Sequence, residues 1–272
     1  MTKKRSDFVV RLASTVVILP IVLVLLWAGG WWWTGSLVVL IGIGTWEFVH
    51  LLQRLGYQPS FFFAILLACL VLVSAQIGDP ALLQPLFAAI LIFSLAWHVF
   101  ADRTETQIEN WLLPLGGALY IGWTSGHMVS LRAFPQGAYR LFVTFGIVWI
   151  ADSMAYFVGK QWGRRPMAPR LSPKKTWEGY AGGVIGGILG GMLLLGLGGL
   201  GWGHGALLGL LEAAITPLGD LGISMIKRQV GTKDTGSLIP GHGGALDRVD
   251  SQLIAVVLGF YYQLWIMGAA LG

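Results

Sequence analysis

The feature that most constrains this chain is a succession of apolar stretches, each about as long as a bilayer is thick. A helix needs about 20 mostly apolar residues to cross about 30 Å of hydrocarbon, and several stretches meet that requirement. Charged residues make up only 11% of the chain, whereas soluble domains carry about 25%. The sequence therefore predicts an all-α, polytopic transmembrane protein.

Length and hydropathy predict nine spans. Three of them, the second, sixth and eighth, carry acidic residues at or near membrane depth: Glu47, Asp152, Glu212 and Asp220. The basic N-terminus and the apolar run after it also fit a cleaved signal peptide, but tryptophans at 31–33 favour an uncleaved first span. The predicted spans lie at about residues 12–33, 36–53, 60–77, 81–100, 111–130, 139–159, 179–200, 205–226 and 251–271.

Lysine and arginine residues are sorted to one side of these spans. If the N-terminus is cytoplasmic, all of the 18 except Arg132 and Arg140 fall in cytoplasmic segments, as the positive-inside rule requires. This predicts a cytoplasmic N-terminus in a bacterial inner membrane. Two cytoplasmic loops are long, at 160–178 and 227–250, so water-exposed chemistry must use them. We therefore expect N-terminal membrane helices at 1–150 and a catalytic membrane region at 151–272.

Composition also excludes some functions. The net charge of +5 does not indicate a nucleic-acid partner, because the basic residues flank apolar spans and no soluble basic domain carries them. The single cysteine, Cys69, cannot form an intrachain disulfide. Glycines at a spacing of four in the seventh span are typical of closely packed helices.

The segment 224–250 carries the strongest chemical signal. It holds four cations, three carboxylates and five glycines in 27 residues of a chain with few charges. Lysine and arginine neutralise phosphate oxygens, glycines let backbone N–H groups approach an anion, and carboxylates are ligands for Mg²⁺. This composition indicates a site for a polyphosphate and a metal.

Spacing adds detail to this segment. If the last span begins near Leu246, Asp247 and Asp250 share one helical face, and Asp220 and Ser224 share a face of the eighth span. These groups are expected to converge, and two metals about 3.5–4 Å apart would suit a phosphoryl or nucleotidyl displacement. The alternative is a basic loop that binds anionic headgroups. That alternative explains the lysines but not the acids near membrane depth.

A second cluster, Ser172-Pro-Lys174-Lys175-Thr176-Trp-Glu-Gly, opens the seventh span. Ser172 or Thr176 is suited to cap the helix, and the two lysines are suited to a phosphate or a headgroup, or serve topology alone. For Asp152 three roles stay open: metal ligand, polar contact to a substrate, or packing partner of a lysine. For Glu212 a structural hydrogen bond is favoured, and Glu47 has no motif around it.

These blocks resemble a known family. The pattern Ser224-x-Ile-Lys227-Arg228-x4-Lys233-Asp234, followed by His242-Gly-Gly-x-x-Asp247-Arg248-x-Asp250, resembles the signature of phosphatidate cytidylyltransferases, also called CDP-diacylglycerol synthases. The 172–179 block and Asp152-x-x-Ala-Tyr-Phe-x-Gly look like two further blocks of that family. The resemblance covers roughly residues 150–255.

The resemblance implies a reaction of CTP with phosphatidic acid that gives CDP-diacylglycerol and pyrophosphate, with Mg²⁺ as cofactor and membrane lipids around the site. It implies Asp220 and Asp247 as metal ligands, with Asp250 and Ser224 in support. The implied catalytic residues are Asp220, Asp247, Lys227, Arg228 and Lys233. The implied substrate-binding residues are Ser172, Lys174, Lys175, Ser224, His242, Gly243, Gly244 and Arg248.

Three other functions fit these residues less well. A CTP-dependent lipid kinase of the polyprenol type is the nearest alternative in chemistry. An ion-coupled transporter is disfavoured, because no repeat is visible and the acids gather at one face. CDP-alcohol phosphotransferases are disfavoured because the chain lacks their Asp-Gly and Ala-Arg run. Acyl-chain preference and oligomeric state stay open, with a homodimer among the options.

Overall fold

We analysed a computed structural model of the chain, in which residues 16–101, 105–236 and 243–269 are described. The secondary structure of these residues is almost entirely helical. The helices are α1 (Val16–Ala28), α2 (Gly30–Arg54), α3 (Phe61–Ile77), α4 (Pro80–Ala101), α5 (Gln107–Arg132), α6 (Gly137–Trp162), α7 (Trp177–Leu197), α8 (Trp202–Ile215), α9 (Pro217–Gln229) and α10 (Leu246–Tyr261), which continues as a π-helical turn, Tyr262–Ile266.

Six helical stretches among the described residues are long and apolar enough to cross a membrane. They are Gly30–Arg54, Leu83–Phe100, Gly137–Trp162, Trp177–Leu197, Trp202–Gln229 and Leu246–Ile266. The helices α1 and α3 are apolar but shorter. The prediction of an all-α, polytopic membrane protein is therefore confirmed, whereas the count of nine spans and the cytoplasmic N-terminus stay predictions.

Three boundaries differ from the predicted ones. The tryptophans at 31–33 open α2 rather than close the first span, because Gly29, at φ 67°, separates the two helices. The eighth span is two helices, α8 and α9. Pro217 has no backbone N–H to continue the hydrogen bonds of α8, and it takes the first position of α9. The last helix begins at Leu246, before the predicted start of the ninth span at residue 251. Its first turn carries charged residues, so hydropathy alone does not include that turn in the span.

The loop predicted at 160–178 contains a short antiparallel hairpin of β1 (Pro166–Ala168) and β2 (Ser172–Thr176). Thr176 ends the hairpin and caps α7, with its Oγ1 accepting from the Gly179 amide at 3.1 Å. A Glu178 carboxylate oxygen accepts from the amides of Arg164 and Arg165 at 3.0 and 3.2 Å. The hairpin is therefore tied to the first turn of α7.

The chain divides into two compact units. The first unit comprises Met1–Val129 and Gln229–Arg248, and the second comprises Ser130–Arg228 and Val249–Gly272. In the first unit α2 packs against α3. The Phe48 ring of α2 fills the space where a side chain at Gly117 of α5 would lie. The Trp33 indole donates to the Met128 carbonyl at 3.3 Å, so α2 is also fixed to α5 by a hydrogen bond.

The second unit is organised around α7, which packs between α6 and α8. A Cβ atom at Gly187 would meet the Gly209 carbonyl oxygen, and one at Gly191 would meet the Gly205 carbonyl oxygen. Glycine is therefore required at these two crossing points, as the spacing of four predicts. The core of this unit contains the following buried residues: Val143, Ile147, Leu195, Leu208 and Tyr262.

Candidate active site

In the second unit the candidate site is built around Asp220, near the start of α9. Lys175 Nζ lies 2.6 Å from Asp220 Oδ2, and the Ser224 hydroxyl donates to Asp220 Oδ1 at 3.2 Å. The predicted pairing of Asp220 and Ser224 on one face of a helix is therefore confirmed. The Lys175 and Asp220 side chains are 30% and 31% exposed, so the pair is accessible to a ligand.

The hairpin supplies Lys175 from its second strand. The Arg228 guanidinium of α9 donates from Nε to the Leu171 carbonyl at 3.0 Å, which fastens the hairpin to α9. Arg228 was predicted to bind phosphate, and the structure also gives it this contact with the hairpin backbone. Because Glu178 fixes the other end of the hairpin, Lys175 is presented by a short element held on both sides.

Three other charged residues predicted to matter belong to the second unit. Asp152 of α6 lies within electrostatic range of both Lys175 and Asp220, and its three predicted roles, as metal ligand, polar contact to a substrate or packing partner of a lysine, stay open. Lys227 is buried on α9. The Asp250 backbone lies close to α9. A Cβ atom added at Gly219 of α9 would meet the Asp250 carbonyl oxygen.

In the first unit the candidate site is built around Asp247, at the start of α10. Its Oδ2 atom accepts from the Thr235 amide at 2.8 Å, the Thr235 hydroxyl at 3.0 Å and the Gly244 amide at 3.0 Å. Gly243 adopts a φ of 80°, and a Cβ atom there would lie 2.8 Å from Asp247 Oδ2 and 3.4 Å from Asp234 Oδ1. The glycines therefore let the backbone approach carboxylate side chains, whereas the sequence predicts that the backbone there approaches an anionic substrate.

Glu47 of α2 belongs to this part of the site and was not assigned a role from the sequence. Its two carboxylate oxygens accept from the Thr235 hydroxyl at 2.9 Å and from the amides of Ala245 and Leu246 at 3.0 Å each. The signal that points to it is an acid in the middle of an apolar span, which is costly unless it is paired. The sequence does not show with which distant residues it pairs.

The remaining predicted residues are placed as follows. Lys233 and Arg248 are exposed in the first unit, and in the second unit Lys174 is exposed and Ser172 is half-buried. His242 lies outside the described residues, as do positions 237–241. The described part of the chain contains no group of three or more His, Cys, Asp or Glu side chains arranged to hold a metal ion. Asp247 and Asp250 both lie at the start of α10, three residues apart as predicted.

Comparison with known proteins decides the family. The model of the cytidylyltransferase family matches residues 9–266, nearly the whole chain. This chain belongs to the cytidylyltransferase family. The match covers most of both units and includes every predicted site residue, from Asp152 to Asp250.

Curated relatives in the cytidylyltransferase family carry a more specific name. The chain is similar to the phosphatidate cytidylyltransferase of Synechocystis sp., at 33% identity over 94% of this chain and 97% of that protein. It is similar to the enzyme of that name from Pseudomonas aeruginosa, at 34% identity over 95% and 97%. The Bacillus subtilis phosphatidate cytidylyltransferase is 37% identical over 66% of each chain.

Proposed function

We propose that this protein transfers a cytidylyl group from CTP to phosphatidic acid, forming CDP-diacylglycerol and releasing pyrophosphate. The observation that carries the proposal is the similarity to phosphatidate cytidylyltransferases along almost the whole chain. The candidate site supports it independently. Cations and carboxylates suited to polyphosphate chemistry lie at the ends of membrane helices, where a lipid headgroup can meet a soluble nucleotide.

In this reaction a phosphate oxygen of the lipid attacks the α-phosphorus of CTP, and pyrophosphate leaves with the electron pair of the broken P–O bond. The protein has little covalent work to do, so positioning and charge stabilisation dominate the rate enhancement. The cations bind the triphosphate and the lipid phosphate: Lys174, Lys175, Lys227, Arg228, Lys233 and Arg248. Further substrate contacts come from Ser172, Ser224 and His242, whereas Gly243 and Gly244 lie against the Asp247 carboxylate instead.

Mg²⁺ fits the chemistry of the carboxylates in both units. Asp220, Asp247 and Asp250 would hold it, because hard cations prefer carboxylate oxygens. The described residues contain no complete cage of protein ligands, which agrees with the habit of Mg²⁺ of keeping substrate phosphates and water in its shell. When bound, the ion neutralises charge on the phosphates.

The proposed reaction also requires a defined orientation in the membrane. We place nine spans, a cytoplasmic N-terminus and the region 151–272 as the catalytic part, with both long loops on the cytoplasmic face of a bacterial inner membrane. The sorting of the basic residues supports this. In a Cys69→Ser background, cysteines at Lys174 and Thr235 should react with an impermeant thiol reagent only from the cytoplasmic side. A cysteine at Ala133 should show the opposite access, and labelling of the first two from outside would invert the topology.

The proposed activity is tested with purified protein in detergent, phosphatidic acid, Mg²⁺ and each nucleoside triphosphate in turn. We expect CTP to give pyrophosphate and CDP-diacylglycerol in equal amounts. A lipid kinase would instead release CDP and phosphorylate a lipid alcohol, so the same assay includes diacylglycerol and a polyprenol. Pyrophosphate-free turnover with either alcohol would replace the proposed function by the kinase.

A further inference from the structure

We propose that Glu47 is a positioning residue, which holds the loop residues 235, 236 and 243–247 and thereby the orientation of Asp247, although it lies in the N-terminal half of the chain. This inference rests on the proposed function for the role of Asp247. Glu47 is 188 residues from Thr235 and 199 from Leu246 along the sequence. The contact is therefore a product of the fold of the first unit alone.

The hydrogen-bond partners of the Glu47 carboxylate among the described residues are all donors. The Ala245 amide donates to Oε1, while the Leu246 amide and the Thr235 hydroxyl donate to Oε2. A carboxylate is suited to this position because it accepts at both oxygens and donates at neither when ionised. Glutamine has one oxygen and one NH₂ group. Whichever way it is turned, its NH₂ group faces at least one donor.

The Thr235 hydroxyl links Glu47 to Asp247. Its Oγ1 atom lies 2.9 Å from Glu47 Oε2 and 3.0 Å from Asp247 Oδ2. A hydroxyl carries one proton, so the two carboxylates share a single donor. The Thr235 amide donates to Asp247 as well. Displacement of Thr235 from Glu47 therefore shifts the donors that orient Asp247.

The start of α10 depends on Glu47 for a second reason. The first N–H groups of a helix have no partner within the helix, and a neighbouring side chain usually caps them. In α10 the Glu47 carboxylate of α2 accepts from the amides of Ala245 and Leu246. Its negative charge also suits the positive end of the helix dipole.

The surroundings of Glu47 leave little room for adjustment. Glu47 is 1% exposed and Thr235 is 4% exposed. A Cβ atom at Gly236 or at Gly244 would collide with the Glu47 carboxylate. The helix that carries Glu47 is itself fixed, through the packing of Phe48 against Gly117. The loop is therefore held by a rigid support rather than by a side chain that can follow it.

The test compares four variants of the full-length protein: Glu47→Gln, Thr235→Val, Thr235→Ser and Glu212→Gln. Glu212→Gln is the matched control, because Glu212 is also a fully buried glutamate of a membrane helix, but it lies beside Thr144 and Gly259 in the second unit. Two quantities are measured for each variant. They are the steady-state kinetics per folded molecule, and the hydrogen exchange of the peptide covering residues 229–248 without substrate.

We expect Glu47→Gln and Thr235→Val to lower kcat about 10²-fold, the cost of a displaced reacting group, with a much smaller change in KM for CTP. Exchange of the 229–248 peptide should speed up in both. Thr235→Ser keeps the hydroxyl and should restore kcat to within a few-fold of wild type. Glu212→Gln should leave the exchange of this peptide unchanged.

The proposal is overturned if Glu47→Gln keeps the wild-type kcat, or if its losses merely follow the fraction of folded protein as they do in Glu212→Gln. It is also overturned if Thr235→Ser is as damaged as Thr235→Val. Failure of the proposed function has a different signature, since the wild-type protein would then form no CDP-diacylglycerol. In that case the hydrogen-exchange comparison still tests the anchoring of the loop.

Discussion

Asp220 in the second unit and Asp247 in the first, the two carboxylates predicted as metal ligands, are held by different kinds of partner. Asp220 is held by the flexible ammonium of Lys175 and by the Ser224 hydroxyl. Asp247 accepts three hydrogen bonds at one oxygen from neutral donors, and two of these are backbone amides. A partner with rotatable bonds can move to a phosphate when a substrate arrives, whereas backbone donors cannot. We therefore expect Asp220 to be the adjustable ligand and Asp247 the fixed one.

The largest effect is expected from neutralising either carboxylate. Asp220→Asn and Asp247→Asn should each lower kcat by about 10³-fold or more, because each removes a charged oxygen ligand while the transition state gains charge. Both variants should still insert into the membrane and unfold cooperatively. Turnover near wild type in either variant, with EDTA still inhibiting, would show that the metal is bound elsewhere.

The next effect concerns the movable partner of Asp220. Lys175→Gln should lower kcat/KM for CTP by about 10²-fold, the cost of one electrostatic contact in a transition state. It should hardly change the unfolding temperature, because partly exposed ion pairs contribute only about 0–1 kcal/mol. Arg170→Gln, at the exposed turn of the same hairpin, is the control and should change kcat/KM by a few-fold at most. A large loss of stability in Lys175→Gln would mean that the ion pair is structural and Asp220 is not adjustable.

A cation of the first unit, which also contains Asp247, should contribute to catalysis as well. Lys233 is exposed, so it is available to the transferring phosphoryl group or to pyrophosphate. Lys233→Gln should lower both kcat and kcat/KM for CTP, by about 10²-fold. Arg165→Gln, compared side by side at saturating Mg²⁺, should act only through phosphatidic acid and by a few-fold. If Arg165→Gln proved more damaging to kcat, the triphosphate would not bind at the 227–250 segment.

The smallest effect is expected from the hydroxyl beside Asp220. Ser224→Ala removes one hydrogen bond at 3.2 Å to a carboxylate, and the weaker hydrogen bonds to charged groups contribute about 1.5 kcal/mol. The expected loss in kcat/KM is therefore about 10-fold. Thr235→Val, which removes the hydroxyl beside Asp247, should cost more, since that hydroxyl also contacts Glu47. Equal losses in the two variants would remove the distinction between an adjustable and a fixed carboxylate.

Much of this arrangement follows from the sequence because it depends on local spacing. The helical segments, the Thr176 cap, the pairing of Asp220 with Ser224 and the place of Asp247 at the start of α10 all involve residues within one or two turns. The family resemblance is likewise confirmed by the family model. Residue spacing predicts well the contacts between residues that the helical period alone places on one face.

The features that the sequence did not predict depend on distant contacts or on single residues. Glu47 and Leu246 are 199 residues apart, so no local pattern joins them. The hairpin is only three and five residues per strand and has no alternating apolar pattern. The break at Pro217 lies in an otherwise apolar stretch, where hydropathy averages over it. The predicted convergence of Asp220 with Asp247 stays a prediction.

The glycine face of α7 has a consequence for how this protein tolerates mutation. On that face the backbone of α8 is so close at Gly187 and Gly191 that even a methyl group meets a carbonyl oxygen. The opposite face carries the exposed apolar side chains of Ile185, Leu189 and Leu193, where one aliphatic residue can replace another with little effect on packing. We therefore expect saturation mutagenesis of α7 to find two kinds of position. Positions on the exposed face should accept many apolar residues, whereas Gly187 and Gly191 should accept only glycine.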